Sequence, residues 1–453
     1  MKNDNSLCSA RHTAVSLLML VLSGAAYLLR AEQRPRQGTA QTQNGSGAYA
    51  TERYRNLFAE MGHPETAIQA KVDAAYRQLF HGDPQTQAVF FSAGRNADGP
   101  LAYITDWANH DVRTEAMSYG MMIAVQMNKK AEFDALWNWA KTYMYAGNPQ
   151  HPSYGYFYWS CKTNGKPNEE TPAPDGEEYF SMSLLFAANR WGSGTGIYNY
   201  KGEADRLLTA MRHRAIKSGM TAFGPRTVGP EVNEQHAMIL FVPGIMPQPF
   251  TDPSYHLPAF YELWARWGPP EDRAFWAHAA EASRAFFVKA TNPKTGLAPD
   301  YANFDGTPHA NRFPQSGIFG YDAWRTASNW SVDWSWWKKA PQERELSNTI
   351  QAFFAQQGMA DYGPLYTLDG KPVAATPKVT PEAHAVGLVA TNAVASLAAT
   401  NQPLARQFVE ALWKANIPSG NNRYYDGMLY LMSLLHVSGE FRIWLPASGH
   451  AQP

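Results

Sequence analysis

Residues 106–127 read DWANHDVRTEAMSYGMMIAVQM. The stretch opens on polar and turn-forming residues and closes as an apolar, Met-rich helix. Glu115 stands where one becomes the other, with Asp111 and Arg113 just before it. A carboxylate at the start of a buried helix satisfies free N–H groups and complements the helix dipole. The same place suits a catalytic acid, because apolar surroundings raise a carboxyl pKa and keep it protonated. Taken alone, Glu115 fits both readings.

The same junction recurs twice. Asp175 lies in PAPDGEEYFSM and Asp322 in GYDAWRTASN, each beside Gly, Tyr or Arg and just ahead of an apolar helix. If these helices ring a cleft, their N-terminal ends bring several carboxylates together among aromatic rings. Glycoside hydrolysis asks for that arrangement: one carboxylic acid protonates the departing oxygen while a carboxylate activates water. Glu177 and Glu178 read as helix-start charges. His63, His151, His236, His256 and His384 are scattered without ligand spacing, so no metal site or other cofactor is expected. Ser118 and Ser254 lack a nucleophile-elbow context, and Cys161 has no neighbouring His signature.

Outward from these junctions the chain reads as helix after helix. Ile68, Val72, Tyr76, Leu79 and Phe80 fall at helical spacing, as do Phe133, Leu136, Trp137, Trp139 and Ala140. Residues 49–62 also read as helical, and further helices are expected at 203–216, 257–267, 271–290, 341–357, 384–399, 402–415 and 424–438. Short strands fit 86–105 and the MILFVPG segment. Residues 148–178 form a long irregular stretch rich in aromatics, of the kind that usually carries function. The Gly-rich run 192–196 follows a helix instead of a strand, so it reads as a connector and not a nucleotide loop. About a dozen helices without βαβ alternation argue for an all-α fold in one domain, with helical hairpins closing into an (α/α) toroid.

Composition bounds the function. Lys+Arg and Asp+Glu stand at 39 each in 453 residues, which leaves no global field for nucleic acid or an anionic membrane. Aromatics make up 13%, with 15 Trp and 23 Tyr, and suit both a large core and a sugar-binding cleft. Two cysteines, Cys8 and Cys161, exclude a disulfide framework. Residues 1–31 read as a signal peptide, or as an uncleaved N-terminal anchor, and imply export to a periplasm or the medium. Residues 32–48 read as a flexible linker, 49–446 as the catalytic domain and 447–453 as a disordered tail. A monomer is expected.

Seven motifs then carry a family resemblance: DVRTEAMSYGMMIAVQM, NWAKTYMY, APDGEEYF, DPSYHLPAFYELW, TGLAPDYA, YDAWRTASN and RYYDGMLYL. In this order they resemble glycoside hydrolase family 8, closest to its reducing-end xylose-releasing exo-oligoxylanases, over residues 50–446. The resemblance implies an (α/α)6 barrel and inverting hydrolysis of β-1,4-linked sugars, with xylooligosaccharides as substrates. It implies Glu115 as general acid and Asp322 as general base, with Asp175, Trp159, Tyr255 and Arg325 holding the sugar at the cleavage site. Where exo-acting members carry Leu-His-Pro, this chain reads Glu382-Ala383-His384-Ala385. His384 is retained as a substrate contact, but the altered neighbours leave an endo-acting xylanase, glucanase or chitosanase open. A sugar-binding protein on the same barrel is the non-enzymatic alternative.

Overall fold

The computed structural model describes residues 45–309, 316–374 and 385–446. The expected signal (1–31), residues 32–44 of the expected linker, His384 and the tail 447–453 lie outside the described residues. Among the described residues, twelve helices of nine or more residues succeed one another: α1 Glu65–His81, α2 Thr114–Gln126, α3 Lys130–Trp139, α4 Pro174–Trp191, α5 Tyr200–His213 and α6 Pro258–Trp267, then α7 Arg273–Ala290, α8 Thr326–Trp337, α9 Gln342–Gln357, α10 Val386–Val394, α11 Gln402–Lys414 and α12 Arg423–Val437.

Their burial separates them into two rings. Helix α5 buries Ala204, Leu207, Leu208 and Met211 among its core contacts, and α11 buries Ala405, Phe408, Val409 and Leu412. Both sets follow the i, i+3, i+4, i+7 stripe of a helix with one side in water. Helix α2 buries every residue except Glu115, and α10 every residue except Val386. A helix buried all round must be surrounded by protein. The even-numbered helices accordingly form an inner ring, and the odd-numbered helices cover it.

Inner neighbours α2–α4, α6–α8, α8–α10, α10–α12 and α12–α2 pack directly. Helices α4 and α6 are joined by side chains: Tyr261 Oη donates to Glu178 Oε1 at 2.6 Å, and the Tyr179 and Phe260 rings meet edge to face at 5.2 Å. The ring closes as an (α/α)6 barrel, as expected from the sequence. Strict outer–inner alternation makes all six inner helices run the same way. Their N-termini, the positive ends of their dipoles, therefore gather at one end of the barrel.

Three local readings change. Residues 49–62 hold two single turns, Ala48–Thr51 and Leu57–Glu60, instead of one helical stretch. Glu52 adopts a left-handed φ of 51°, and the Asn56 side chain caps the second turn by accepting from the Ala59 N–H at 3.0 Å. Packing also begins inside the expected linker, since a Cβ on Gly47 would run into the Trp336 carbonyl. Within 148–178, strand Ser160–Lys162 lies between Asp111–Arg113 and Pro167–Glu169 in a three-stranded antiparallel sheet. Strands of three residues are too short to show alternation in sequence. The hairpin expected within 86–105 is present as Phe90–Asn96 with Gly99–Ile104.

Candidate active site

Arg325 ends a 3-10 turn, Tyr321–Arg325, that leads into α8, and its guanidinium is buried at the N-terminal end of the inner ring. Its Nη1 donates to Glu115 Oε2 at 3.2 Å, to Tyr119 Oη at 2.5 Å and to Asp175 Oδ2 at 3.1 Å. Its Nη2 donates to Ser254 Oγ at 2.9 Å and pairs with Asp322 Oδ1 at 3.0 Å. The Tyr255 ring lies 5.7 Å from the same guanidinium. Three carboxylates from three inner-helix junctions thus share one cation. Buried charges at such density persist only when paired and hydrogen-bonded.

The three carboxylates differ in environment. Glu115 is gripped from its other side by Tyr424, whose Oη donates to Oε1 at 2.5 Å. Burial raises the Glu115 pKa; Arg325 opposes this, Asp322 adds to it, and the Tyr424 bond and Arg113 lower it, with a net upward shift. Burial pushes Asp175 up to about 7 against the pull of Arg325. Its Oδ1 accepts the Gly176 N–H at 2.9 Å, at the first turn of α4. The Asp322 side chain is the most open of the three, at 29% exposed against 15% for Glu115 and 6% for Asp175.

The backbone carrying Asp322 is tightly held. Tyr321 sits at φ 28°, a conformation that costs a bulky residue roughly 1–3 kcal/mol. Tyr425 Oη donates to the Tyr321 carbonyl at 3.0 Å, and the Ala323 N–H donates to Asp300 Oδ1 at 3.0 Å. These two bonds clamp Asp322 from both sides.

Trp159 stands one strand away. Its carbonyl accepts the Thr114 N–H at 2.9 Å, beside Glu115, and its ring lies 5.8 Å from the Arg113 guanidinium. The structure therefore brings Glu115, Asp175, Tyr255, Asp322 and Arg325 together and ties Trp159 to the Glu115 junction. His384 lies outside the described residues.

Sequence reasoning gave no role to Tyr119, Ser254, Tyr424 or Tyr425. The Tyr pair lies in RYYDGM at the start of α12, another junction of the same kind, so the signal was present but unread. Ser254 was weighed only as a nucleophile, whereas it caps the guanidinium fork. Glu177 is in the first turn of α4 and Glu178 follows it, yet both are fully buried instead of solvated. Glu177 Oε1 accepts the Phe157 N–H at 2.9 Å, and Glu178 takes the Tyr261 hydroxyl.

Such a site can donate a proton from one carboxyl and accept one at another, with a cation holding both in place. Among the described residues no His, Cys, Asp or Glu group is arranged to hold a metal ion.

The profile of the Glycosyl hydrolases family 8 matches residues 96–439, and the chain belongs to that family. It is 44% identical to the reducing-end xylose-releasing exo-oligoxylanase Rex8A of Paenibacillus barcinonensis, over 88% of this chain and 99% of that protein. A reducing end xylose-releasing exo-oligoxylanase of Bifidobacterium adolescentis is 38% identical over 85% of this chain and 96% of its own. The crystal structure of a catalytic mutant of a family 8 xylanase from Teredinibacter turnerae, in complex with xylohexaose, is 52% identical. It superposes with a TM-score of 0.85 and covers 88% of this chain and 100% of that one.

Proposed function

We propose that the protein is an inverting glycosidase that cleaves β-1,4-xylosidic bonds in xylooligosaccharides and releases xylose from the reducing end. The observation that carries this reading is the pairing of Glu115 and Asp322 on the two arms of Arg325, in unlike environments. Glu115, with its raised pKa, holds the proton that goes to the glycosidic oxygen as the bond to the anomeric carbon breaks. Asp322, the more open carboxylate, takes a proton from water as that oxygen attacks the opposite face. The new hemiacetal then carries the inverted, α configuration. Asp175 and Tyr255 hold the distorted sugar against Trp159, and Arg325 fixes both carboxylates. His384 is carried over from the family resemblance as a further substrate contact.

The test is hydrolysis of xylotriose and xylotetraose, followed by product analysis and anomer-resolved NMR. Xylose from the reducing end and α-configured new ends support the reading; β-configured ends overturn it.

Endo-action on xylan is the second reading. It draws on the replacement of Leu-His-Pro by Ala383-His384-Ala385 and on the 52% identity to a xylanase solved with xylohexaose. Xylohexaose separates the two: a single-xylose product series marks exo-action, and early xylotriose marks endo-action. Export by the N-terminal segment, to a periplasm or the medium, and action as a monomer complete the proposal. Cell fractionation and sedimentation check them.

A further inference from the structure

Away from the carboxylates, three aromatic rings form a row along the hairpin before Glu115. Phe91 and Tyr103 face each other across the two strands, with ring centroids 5.9 Å apart and planes 22° from parallel. Trp107 continues the row at 6.0 Å from Phe91, with planes at 19°. All three rings are half-buried. Phe91 and Trp107 take no part in the hydrophobic core, and Tyr103 only edges onto it. At this spacing the rings are offset, not superposed, since face-to-face contact needs about 3.5–4.0 Å. Each ring keeps part of its surface in solvent, while the buried Arg423 guanidinium covers one face of Trp107.

The row is continuous with the cleft. The Trp107 ring packs 4.0 Å from the Arg423 guanidinium, and the next residue, Tyr424, bonds the proposed acid Glu115. The neighbour on the other side, Asp106, pairs with Arg113 at 3.0 Å, two residues before Glu115. Chemistry that stacks on such a row is a chain of flat pyranose rings with apolar CH faces.

We infer that Trp107, Phe91 and Tyr103 form an outlying platform that binds consecutive sugar units of a longer xylan chain beyond the cleavage site. The platform favours long substrates over short ones. This rests on the reading above that the cleft cleaves β-1,4-linked xylose chains, and adds a second point of attachment to it.

The experiment uses the full chain carrying Glu115→Gln, so that bound polymer is not cut, in native electrophoresis through gels containing soluble xylan. Adding Phe91→Ala with Trp107→Ala is expected to weaken retardation roughly three- to tenfold, the worth of one or two ring contacts. Phe91→Tyr, which keeps the ring, is expected to retain it. In the otherwise unchanged enzyme, Phe91→Ala is expected to leave xylotriose turnover unaltered and to lower the rate on xylohexaose. Retardation indifferent to the double substitution overturns the platform while xylotriose hydrolysis still supports the activity. Ring-dependent retardation without any xylotriose hydrolysis supports the platform and overturns the activity.

Discussion

The hydroxyl of Tyr424 donates to Oε1 of Glu115 at 2.5 Å, while Arg325 holds Oε2 of the same carboxyl at 3.2 Å. The last inner helix is thereby bolted to the first across the closure of the barrel. One bond serves both the fold and the proposed proton donor.

Replacing Tyr424 by Phe removes a bond that lowers the Glu115 pKa. The acid then keeps its proton to higher pH, so the alkaline limb of the kcat/KM profile is expected to move upward. A lost hydrogen bond to a charged group is worth about 1.5–3 kcal/mol, which predicts a fall in kcat on the order of tenfold or more. A pH–rate series on xylotriose reads both effects, and an unmoved alkaline limb counts against Glu115 as the acid.

Asp322→Asn and Glu115→Gln are each expected to lower xylotriose turnover roughly 10²–10⁴-fold, the range of general acid–base contributions. They are expected to differ on an aryl xylobioside whose leaving group needs little protonation. Glu115→Gln recovers there and Asp322→Asn does not. Equal recovery in both would remove the assignment of roles.

Arg325→Gln leaves three neighbouring carboxylates without their shared cation. Removing one partner from a buried pair costs about 3–5 kcal/mol, so the midpoint of chemical denaturation is expected to fall with activity. Arg325→Lys is expected to regain stability in part but not turnover, because one ammonium cannot replace the two-armed fork.

Glu177 is pushed up to about 8 by burial. The unfolded chain releases this proton near 4.5 and the folded chain near 8, so the folded state binds one more proton between them. Stability from the neutral carboxyl is complete below about 4.5 and is lost as pH rises through about 8. The melting temperature is expected to decline between about pH 4.5 and 8, and Glu177→Gln to flatten that decline. An unchanged slope in that variant would place the pH dependence elsewhere, with Asp175 the next candidate.

Gly176 lies where α4 presses on α2: a Cβ there would approach the Thr114 side chain to 2.4 Å. Gly176→Ala is expected to destabilise by about 1–3 kcal/mol through overpacking. It is also expected to lower kcat by displacing Asp175 and Glu115 on either side of the contact. Denaturation midpoints and xylotriose kinetics together measure this.

Helix α2 and the junctions at Asp175 and Asp322 were legible because helical periodicity and a charge at its boundary are local signals. The positions of most outer helices were legible for the same reason. The short strands at 160–162 and 167–169 were not, since three residues set no pattern and Asp111–Arg113, the partner of 160–162, lies far back in the chain. Burial of Glu177 and Glu178 was also hidden, because a carboxylate near a helix start looks alike whether its helix faces water or another helix.

By itself the sequence determined the alternation of helices, the apolar character of the inner ones and the carboxylates at their starts. Motif order pointed to the family. Only the tertiary structure decided that these starts meet at one end, that Arg325 binds Glu115, Asp175 and Asp322 together, and that Tyr424 bonds Glu115 from the other side. The reason is physical: residue type and spacing act over a few turns of chain, whereas a carboxylate's pKa and partners depend on which distant helices close around it.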